Sequence, residues 1–215
     1  MTLITLTDPR SPVSEAYRTL RTNLSFSSLD KPIRTLVVTS PAPDEGKSTT
    51  VANLAVTMAQ GGRRTILVDC DLRRPALHTL FDCQAEPGLT NLLLEEDGQP
   101  ALQQTQVEGL QLLSSGPLPP NPADLLGSQK IDKVIASLAG MAEVVLFDAP
   151  PVIAVTDAAV LGAKVDGVLL VISAGKTRRE HAERAKEMLE RANVRIVGAA
   201  LTNAPQDSSI GGYYQ

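Results

Sequence analysis

Tryptophan is absent from these 215 residues, and aromatic side chains of every kind make up only 3%. A surface that stacks unpaired bases needs exposed rings, so a single-stranded nucleic-acid platform is not expected. The core must instead be built from Val, Ile, Leu and Ala. Cysteine is scarce too: Cys70 and Cys83 are too few for a disulfide framework and suit a reducing compartment. No apolar run approaches the roughly 18 residues of a membrane span. The opening MTLITLTDPR has neither the basic nor the apolar region of a signal peptide. These absences predict a cytoplasmic chain that cannot anchor itself in a bilayer. Positive charge is in short supply as well. Twenty Lys and Arg against 24 Asp and Glu give 20 − 24 = −4, so no overall field draws the chain to nucleic acid or anionic lipid. What is present, 43% hydrophobic and 20% charged residues, is enough for one soluble domain with a sizeable core.

Five short, β-branched, almost wholly apolar runs recur along the chain: 35–39 (TLVVT), 65–68 (TILV), 144–147 (VVLF), 168–172 (VLLVI) and 196–201 (IVGAAL). Strands apolar on both faces belong to a parallel sheet covered on both sides. Helical patterns lie between them. Residues 48–60 are helical by composition and stop at Gly61 and Gly62, and 177–192 (TRREHAERAKEMLERA) has the rhythm of a surface helix. The alternation predicts a doubly wound α/β fold with a mostly parallel sheet, whose ligands bind beyond the carboxyl ends of the strands. Two stretches stand outside it. One is an N-terminal helix with Ser11 as cap, Pro12 in its first turn and Pro32 beyond its end. The other, 112–126 (LLSSGPLPPNPADLL), reads as a proline-punctuated loop. From residue 204 the sequence becomes a polar tail.

The first strand runs into Pro41-Ala42-Pro43-Asp44-Glu45-Gly46-Lys47-Ser48-Thr49 and then directly into a helix, which is the context a phosphate loop requires. Backbone N–H groups at such a turn converge on an anion, and the helix dipole adds about half a positive charge. Lys47 can reach β- and γ-phosphates, and Ser48 supplies a hydroxyl for Mg²⁺. The usual first glycine of the loop is Pro41 here. Two further strands end in acids, one in Asp69-Cys70-Asp71-Leu72-Arg73 and the other in Asp148-Ala149-Pro150-Pro151. Carboxylates at these strand ends suit Mg²⁺, which takes few protein oxygens and keeps several waters. Taken singly, each Asp would pass for a helix cap.

In combination, G-K-S-T, the segment Leu67-Val68-Asp69-Cys70-Asp71-Leu72-Arg73, and Leu146-Phe147-Asp148-Ala149-Pro150-Pro151 resemble the bacterial tyrosine kinases that control capsule and exopolysaccharide synthesis. The stretches 119–126 (PPNPADLL) and 152–161 (VIAVTDAAVL) are similar to that family too. The fold implied is a P-loop NTPase of the deviant-Walker group. The resemblance implies an ATP- and Mg²⁺-dependent protein-tyrosine kinase. Asp44, Glu45, Gly46, Lys47, Ser48 and Thr49 would surround the phosphates, and Ser48, Asp69 and Asp148 would position the metal. Asp71 would be the base, and Asn203 would contact adenine. Arg73 would steady transition-state charge or stand solvated. Tyr213 and Tyr214, within the last three residues, would accept phosphate in a neighbouring subunit, although family members usually end in a longer tyrosine cluster. Glu15, Arg18 and Arg21 match the family's E-x-x-R-x-x-R motif for head-to-tail ring contacts, so a homo-oligomer is expected. The implied organisation is an oligomerisation helix over 1–32, a kinase domain over 33–203 and a tyrosine-bearing tail over 204–215. A separate transmembrane activator, a polysaccharide co-polymerase, would recruit the chain to the inner face of the membrane, with protein tyrosines as substrates and no nucleic acid.

Two other readings compete. One is a positioning or partitioning ATPase of the deviant-Walker group. That group carries a lysine where Ala42 stands, and its membrane-positioning members end in a basic amphipathic helix rather than Gly-Gly-Tyr-Tyr-Gln. The other is a nucleotide-controlled scaffold without kinase activity. His78 and His181 lack the clustered spacing of a zinc site and are expected to be structural or solvated.

Overall fold

A computed structural model of the chain describes residues 3–27, 32–95 and 98–205. The N-terminal part is a short helix α1 (Ile4–Thr7) followed by α2 (Pro12–Phe26). There follow β1 (Thr35–Thr39), α3 (Lys47–Gln60), β2 (Thr65–Asp69), α4 (Leu77–Phe81), α5 (Leu89–Leu94), β3 (Gln103–Gln104) and β4 (Leu110–Leu113). The chain continues through α6 (Pro122–Gly127), α7 (Gln129–Met141), β5 (Val144–Asp148), α8 (Asp157–Gly162), β6 (Gly167–Ser173), α9 (Arg179–Arg191) and β7 (Ile196–Thr202). The strands form one sheet in the order β3-β4-β2-β5-β1-β6-β7, parallel throughout except where the two-residue β3 runs antiparallel to β4.

Alternation across the pleat divides the core into two layers. On one side Val37, Ile66, Val68, Val145, Phe147 and Leu170 pack with the apolar faces of α5, α7, α8 and α9. On the other, Leu36, Val38, Leu67, Leu146 and Leu169 pack under α3, with Leu24 of α2 and Leu77 of α4. Every residue of β1, β2 and β5 is buried, as expected for strands between two helical layers. In α3, residues Thr50 to Ala59 are all buried, because the sheet lies on one side and α1 and α2 cover the other.

The N-terminal helix begins as the sequence indicates. The Ser11 side chain accepts from the Ser14 backbone N–H at 3.1 Å, and Pro12 opens α2. Its partner is the chain's own α3. The Thr5 hydroxyl donates to Asn53 Oδ1 at 2.8 Å, and Arg21 Nη1 donates to the Thr57 carbonyl at 2.7 Å. The stretch read as a loop over 112–126 is more ordered than expected. Leu112 and Leu113 end β4, and Pro122 starts α6, where its missing N–H costs nothing. The tail tyrosines Tyr213 and Tyr214 lie outside the described residues.

Candidate active site

In the sheet order, β2, β5 and β1 are adjacent, so their carboxyl ends lie about 4.8 Å apart. The register pairs Asp69 with Asp148 and Val38 with Asp148, which brings both acidic strand ends beside the loop that leaves β1. That loop ends at Gly46, whose φ of +89° is the left-handed conformation glycine tolerates at least cost. Lys47 then opens α3 and reaches back over the strand ends. Its ammonium lies 2.7 Å from Asp71 Oδ2, 3.4 Å from Asp148 Oδ1 and 3.1 Å from Ser48 Oγ.

One lysine among three acids leaves a surplus of negative charge. Burial alone would lower the Lys47 pKa, but Asp148 and Asp71 overcome it and hold the ammonium above its ordinary value. Burial pushes Asp69 up to about 7, and the neighbouring Asp148 charge adds to the rise. Burial likewise raises Asp148 against the pull of Lys47 and Ser48. The three acids are held differently. Asp69 Oδ2 accepts from the backbone N–H groups of Ala76 and Leu77, both at 3.0 Å, and Oδ1 accepts from Asp71 N–H at 3.2 Å. It therefore anchors the turn into α4 as well as facing the site. Asp71 Oδ1 accepts from Arg74 N–H at 3.0 Å, leaving Oδ2 to Lys47. Asp148 Oδ2 is buried and has no hydrogen-bond partner among the described residues.

That orphaned oxygen is the observation by which the site fits a divalent cation. A buried carboxylate oxygen without a donor is costly unless a ligand satisfies it. Among the described residues no group of three His, Cys, Asp or Glu side chains could hold a metal alone. This accords with Mg²⁺ bound through one or two protein oxygens, with phosphates and waters supplying the rest.

The phosphate loop is braced from behind by residues with no local sequence signal. Glu45 is buried; its Oε2 accepts from Ala42 N–H at 2.9 Å and its Oε1 from the Thr177 hydroxyl at 2.6 Å. Lys176 donates to the Asp44 carbonyl at 2.6 Å, and the Thr202 hydroxyl donates to the Glu45 carbonyl at 2.9 Å. Glu45 thus serves the loop through its side chain as a strut, which its place in a phosphate-binding run does not reveal. Asn203, read as an adenine contact, donates through Nδ2 to Ser173 Oγ at 2.9 Å and ties the ends of β7 and β6. Thr49 lies in the first turn of α3, where its carbonyl accepts from Asn53 Nδ2 at 2.8 Å. Arg73 leans across to the segment that follows β5. It makes a two-armed pair with buried Asp157 at the start of α8. Glu15 and Arg18 pair with each other at 2.7 Å on α2.

A family model described as "ParA: NUBPL iron-transfer P-loop NTPase" matches residues 33–203, from just before β1 to just after β7. Relatives matched over nearly the whole chain narrow that reading. The chain is 44% identical over 214 residues to the tyrosine-protein kinase YwqD of Bacillus subtilis, covering 99% of this chain and 90% of the relative. It is 34% identical to the tyrosine-protein kinase CpsD of Streptococcus agalactiae, covering 93% and 87% respectively. It belongs to the bacterial tyrosine-protein kinases. The kinase domain of the Escherichia coli tyrosine kinase ETK superposes on this kinase with a TM-score of 0.91 at 31% identity, over 97% of this chain and 82% of the other. MinD of Pyrococcus furiosus, with a TM-score of 0.66 at 24% identity over 78% of this chain and 71% of the other, shares the fold alone. The relatives therefore favour the kinase over the positioning ATPase. As a member of the family the chain is a protein-tyrosine kinase on the P-loop NTPase fold, as the sequence motifs indicate.

Proposed function

We propose that Lys47, Ser48, Asp69, Asp71 and Asp148 form the phosphoryl-transfer centre of this tyrosine kinase, with ATP as donor. The observation that carries the reading is the Lys47 ammonium poised between Asp71 and Asp148 at the mouth of the phosphate loop, with Asp148 Oδ2 unpartnered beside it. The loop from Asp44 to Thr49 wraps the phosphates with its backbone amides, and α3 adds its dipole. Ser48 and Asp148 would hold Mg²⁺, with Asp69 in direct or water-mediated reach, and the ion would neutralise phosphate charge.

Lys47 holds its place among the acids by charge, and a triphosphate offers it a denser anion. When its ammonium turns to the β- and γ-phosphates, Asp71 Oδ2 loses its partner and becomes the free carboxylate oxygen of the site. There Asp71 accepts the tyrosine proton as the phenolic oxygen bonds to the γ-phosphorus and the bond to the ADP oxygen breaks. A phenol has a pKa near 10, so an oriented carboxylate aids its deprotonation within the transition state. In-line positioning accounts for most of the remaining rate. Asn203, just past the end of β7, contacts the adenine ring of ATP.

The acceptors are protein tyrosines, including Tyr213 and Tyr214 presented by the tail of a neighbouring subunit. Residues 1–32 act as the oligomerising segment and 33–203 as the kinase domain. Glu15, Arg18 and Arg21 contribute to ring contacts, although exposed ion pairs supply only about 0 to 1 kcal/mol each. The ring therefore needs an interface on the order of 1,200 Å² or more. Among the described residues no helix is long and apolar enough to cross a membrane. A separate transmembrane activator then brings the kinase to the inner face of the membrane, where it regulates capsule or exopolysaccharide synthesis and export.

Incubating the purified chain with ATP and Mg²⁺, with and without a candidate activator segment, and mapping phosphotyrosine by peptide mass spectrometry tests the centre. Phosphate on Tyr213 or Tyr214, reduced about 10²- to 10⁴-fold by Asp71→Asn, is the expected result. ATP turnover without phosphotyrosine under both conditions would refute the assigned roles.

A further inference from the structure

Arg73 and Asp157 lie 84 residues apart in sequence and meet beside the site. Arg73 Nε donates to Asp157 Oδ1 and Nη2 donates to Oδ2, each at 3.2 Å. Asp157 is fully buried at the first turn of α8, whereas the Arg73 side chain is 41% exposed. The guanidinium thus closes over the buried carboxylate from the solvent side. Arg73 is two residues past Asp71, and the turn it belongs to holds the proposed base. Asp71 Oδ1 accepts from the backbone N–H groups of Arg73 at 3.4 Å and Arg74 at 3.0 Å. Asp157 follows Asp148 by nine positions on the segment leaving β5. The pair thereby bolts the segment after β2, which carries Asp71, to the segment after β5, which carries Asp148. Neither side chain hydrogen-bonds the phosphate loop among the described residues.

We infer that the Arg73–Asp157 pair is a positioning clasp that fixes the Asp71 carboxylate relative to Asp148, so that Asp71 Oδ2 meets the acceptor phenol in line with the phosphoryl group. This rests on Asp71 being the proton acceptor. A planar fork on a carboxylate sets orientation as well as distance, which a lysine ammonium does not. Misplacing a reacting group by about 1 Å can cost on the order of 10²-fold in rate. The clasp braces the turn that carries Asp71 and makes no hydrogen bond to the phosphate loop among the described residues, so its loss falls on transfer to tyrosine rather than on nucleotide binding. Arg73 and Asp157 are positioning residues and touch no reacting atom.

The test uses the full chain and follows its own phosphotyrosine formation over a range of ATP concentrations. The variants are Arg73→Lys, Asp157→Asn, the double variant and Asp71→Asn, each with a melting temperature. The clasp predicts that either single substitution lowers kcat by about 10- to 100-fold while the KM for ATP stays within about twofold. The double variant is then no slower than the worse single one, since both break the same contact. Unchanged kcat, a KM that rises in step with the loss of kcat, or losses that multiply in the double variant would each overturn the clasp. Should Asp157→Asn fail to fold, Arg73→Lys on the exposed side decides alone. If Asp71→Asn leaves the rate intact, the proton-acceptor reading falls and the clasp with it. A slow Asp71→Asn beside fast Arg73→Lys and Asp157→Asn removes the clasp only.

Discussion

Replacing Asp148 with Asn should stabilise the nucleotide-free fold while disabling the enzyme. At 3.4 Å, with an effective dielectric of about 20, attraction to Lys47 supplies about 5 kcal/mol. Against it stand repulsion from Asp69 and Asp71 and a desolvation penalty of several kcal/mol for a carboxylate with no exposure. The balance goes against the charge, because the Asp148 pKa is raised on folding. A neutral isostere removes that surplus, and a domain of this size gains about 2 to 4 °C in Tm for each kcal/mol recovered. The unliganded variant should therefore melt higher than the parent at pH 8. The sign of the pH effect follows from linkage. A carboxyl whose folded pKa lies above its unfolded value binds more protons in the folded state, so its destabilising contribution grows as pH rises through that window. For Asp69 the window runs from 3.8 to about 7, and Asp148 is shifted in the same direction. The parent should lose stability between pH 5 and pH 8, and the gain from Asp148→Asn should shrink toward pH 5. Differential scanning calorimetry without nucleotide measures both. A variant that melts lower at pH 8, or a gain that widens at pH 5, would refute the charge-surplus argument.

The other expectations concern the loop and its lysine. Lys47→Met should abolish phosphotyrosine formation and destabilise the unliganded fold more at pH 8 than at pH 5, because protonation of the acids relieves the loss of their cation; parallel melts at the two pH values check this. Glu45→Gln should weaken ATP-analogue binding by about tenfold, since a charge-assisted hydrogen bond is worth about 1.5 to 3 kcal/mol and an amide retains part of it; titration calorimetry against Thr177→Val, which removes the same contact from the other side, gives the comparison. Gly46→Ala should cost about 1 to 2 kcal/mol, because its φ of +89° disfavours any Cβ even though the nearest side-chain atom, on Thr202, would stand 3.5 Å away. Chemical denaturation measures it.

The parallel sheet was legible because β1, β2, β5, β6 and β7 are apolar runs, buried in β1, β2 and β5, nearly so in β6, and half-buried to exposed at the β7 edge, and each is seen within a residue of its sequence bounds. β4 escaped because LQLL is four residues long, and the prolines that follow pulled its end into an apparent loop. α1 has four residues, too few for any helical period to show. Lys47, Asp69, Asp71 and Asp148 were legible because each sits at a strand end or helix start, where chain order itself assigns a place. The supports were not. Glu45 meets Thr177 across 132 residues and Arg73 meets Asp157 across 84, and no local pattern encodes such a meeting. Arg21 shows the reverse difficulty: its spacing marks a helix face but cannot say that one arm of the guanidinium donates to the carbonyl of Thr57.

With ten consecutive positions shut away from water, α3 has no side on which it can slide or breathe. Whatever shifts the enzyme makes during turnover must occur in the loops around it. Lys47 and Ser48 therefore ride on a fixed post, with Asp71 already 2.7 Å from the lysine, and whatever joins them must come from outside. A substitution at the rims meets open water, whereas one between Thr50 and Ala59 must fit a space already filled.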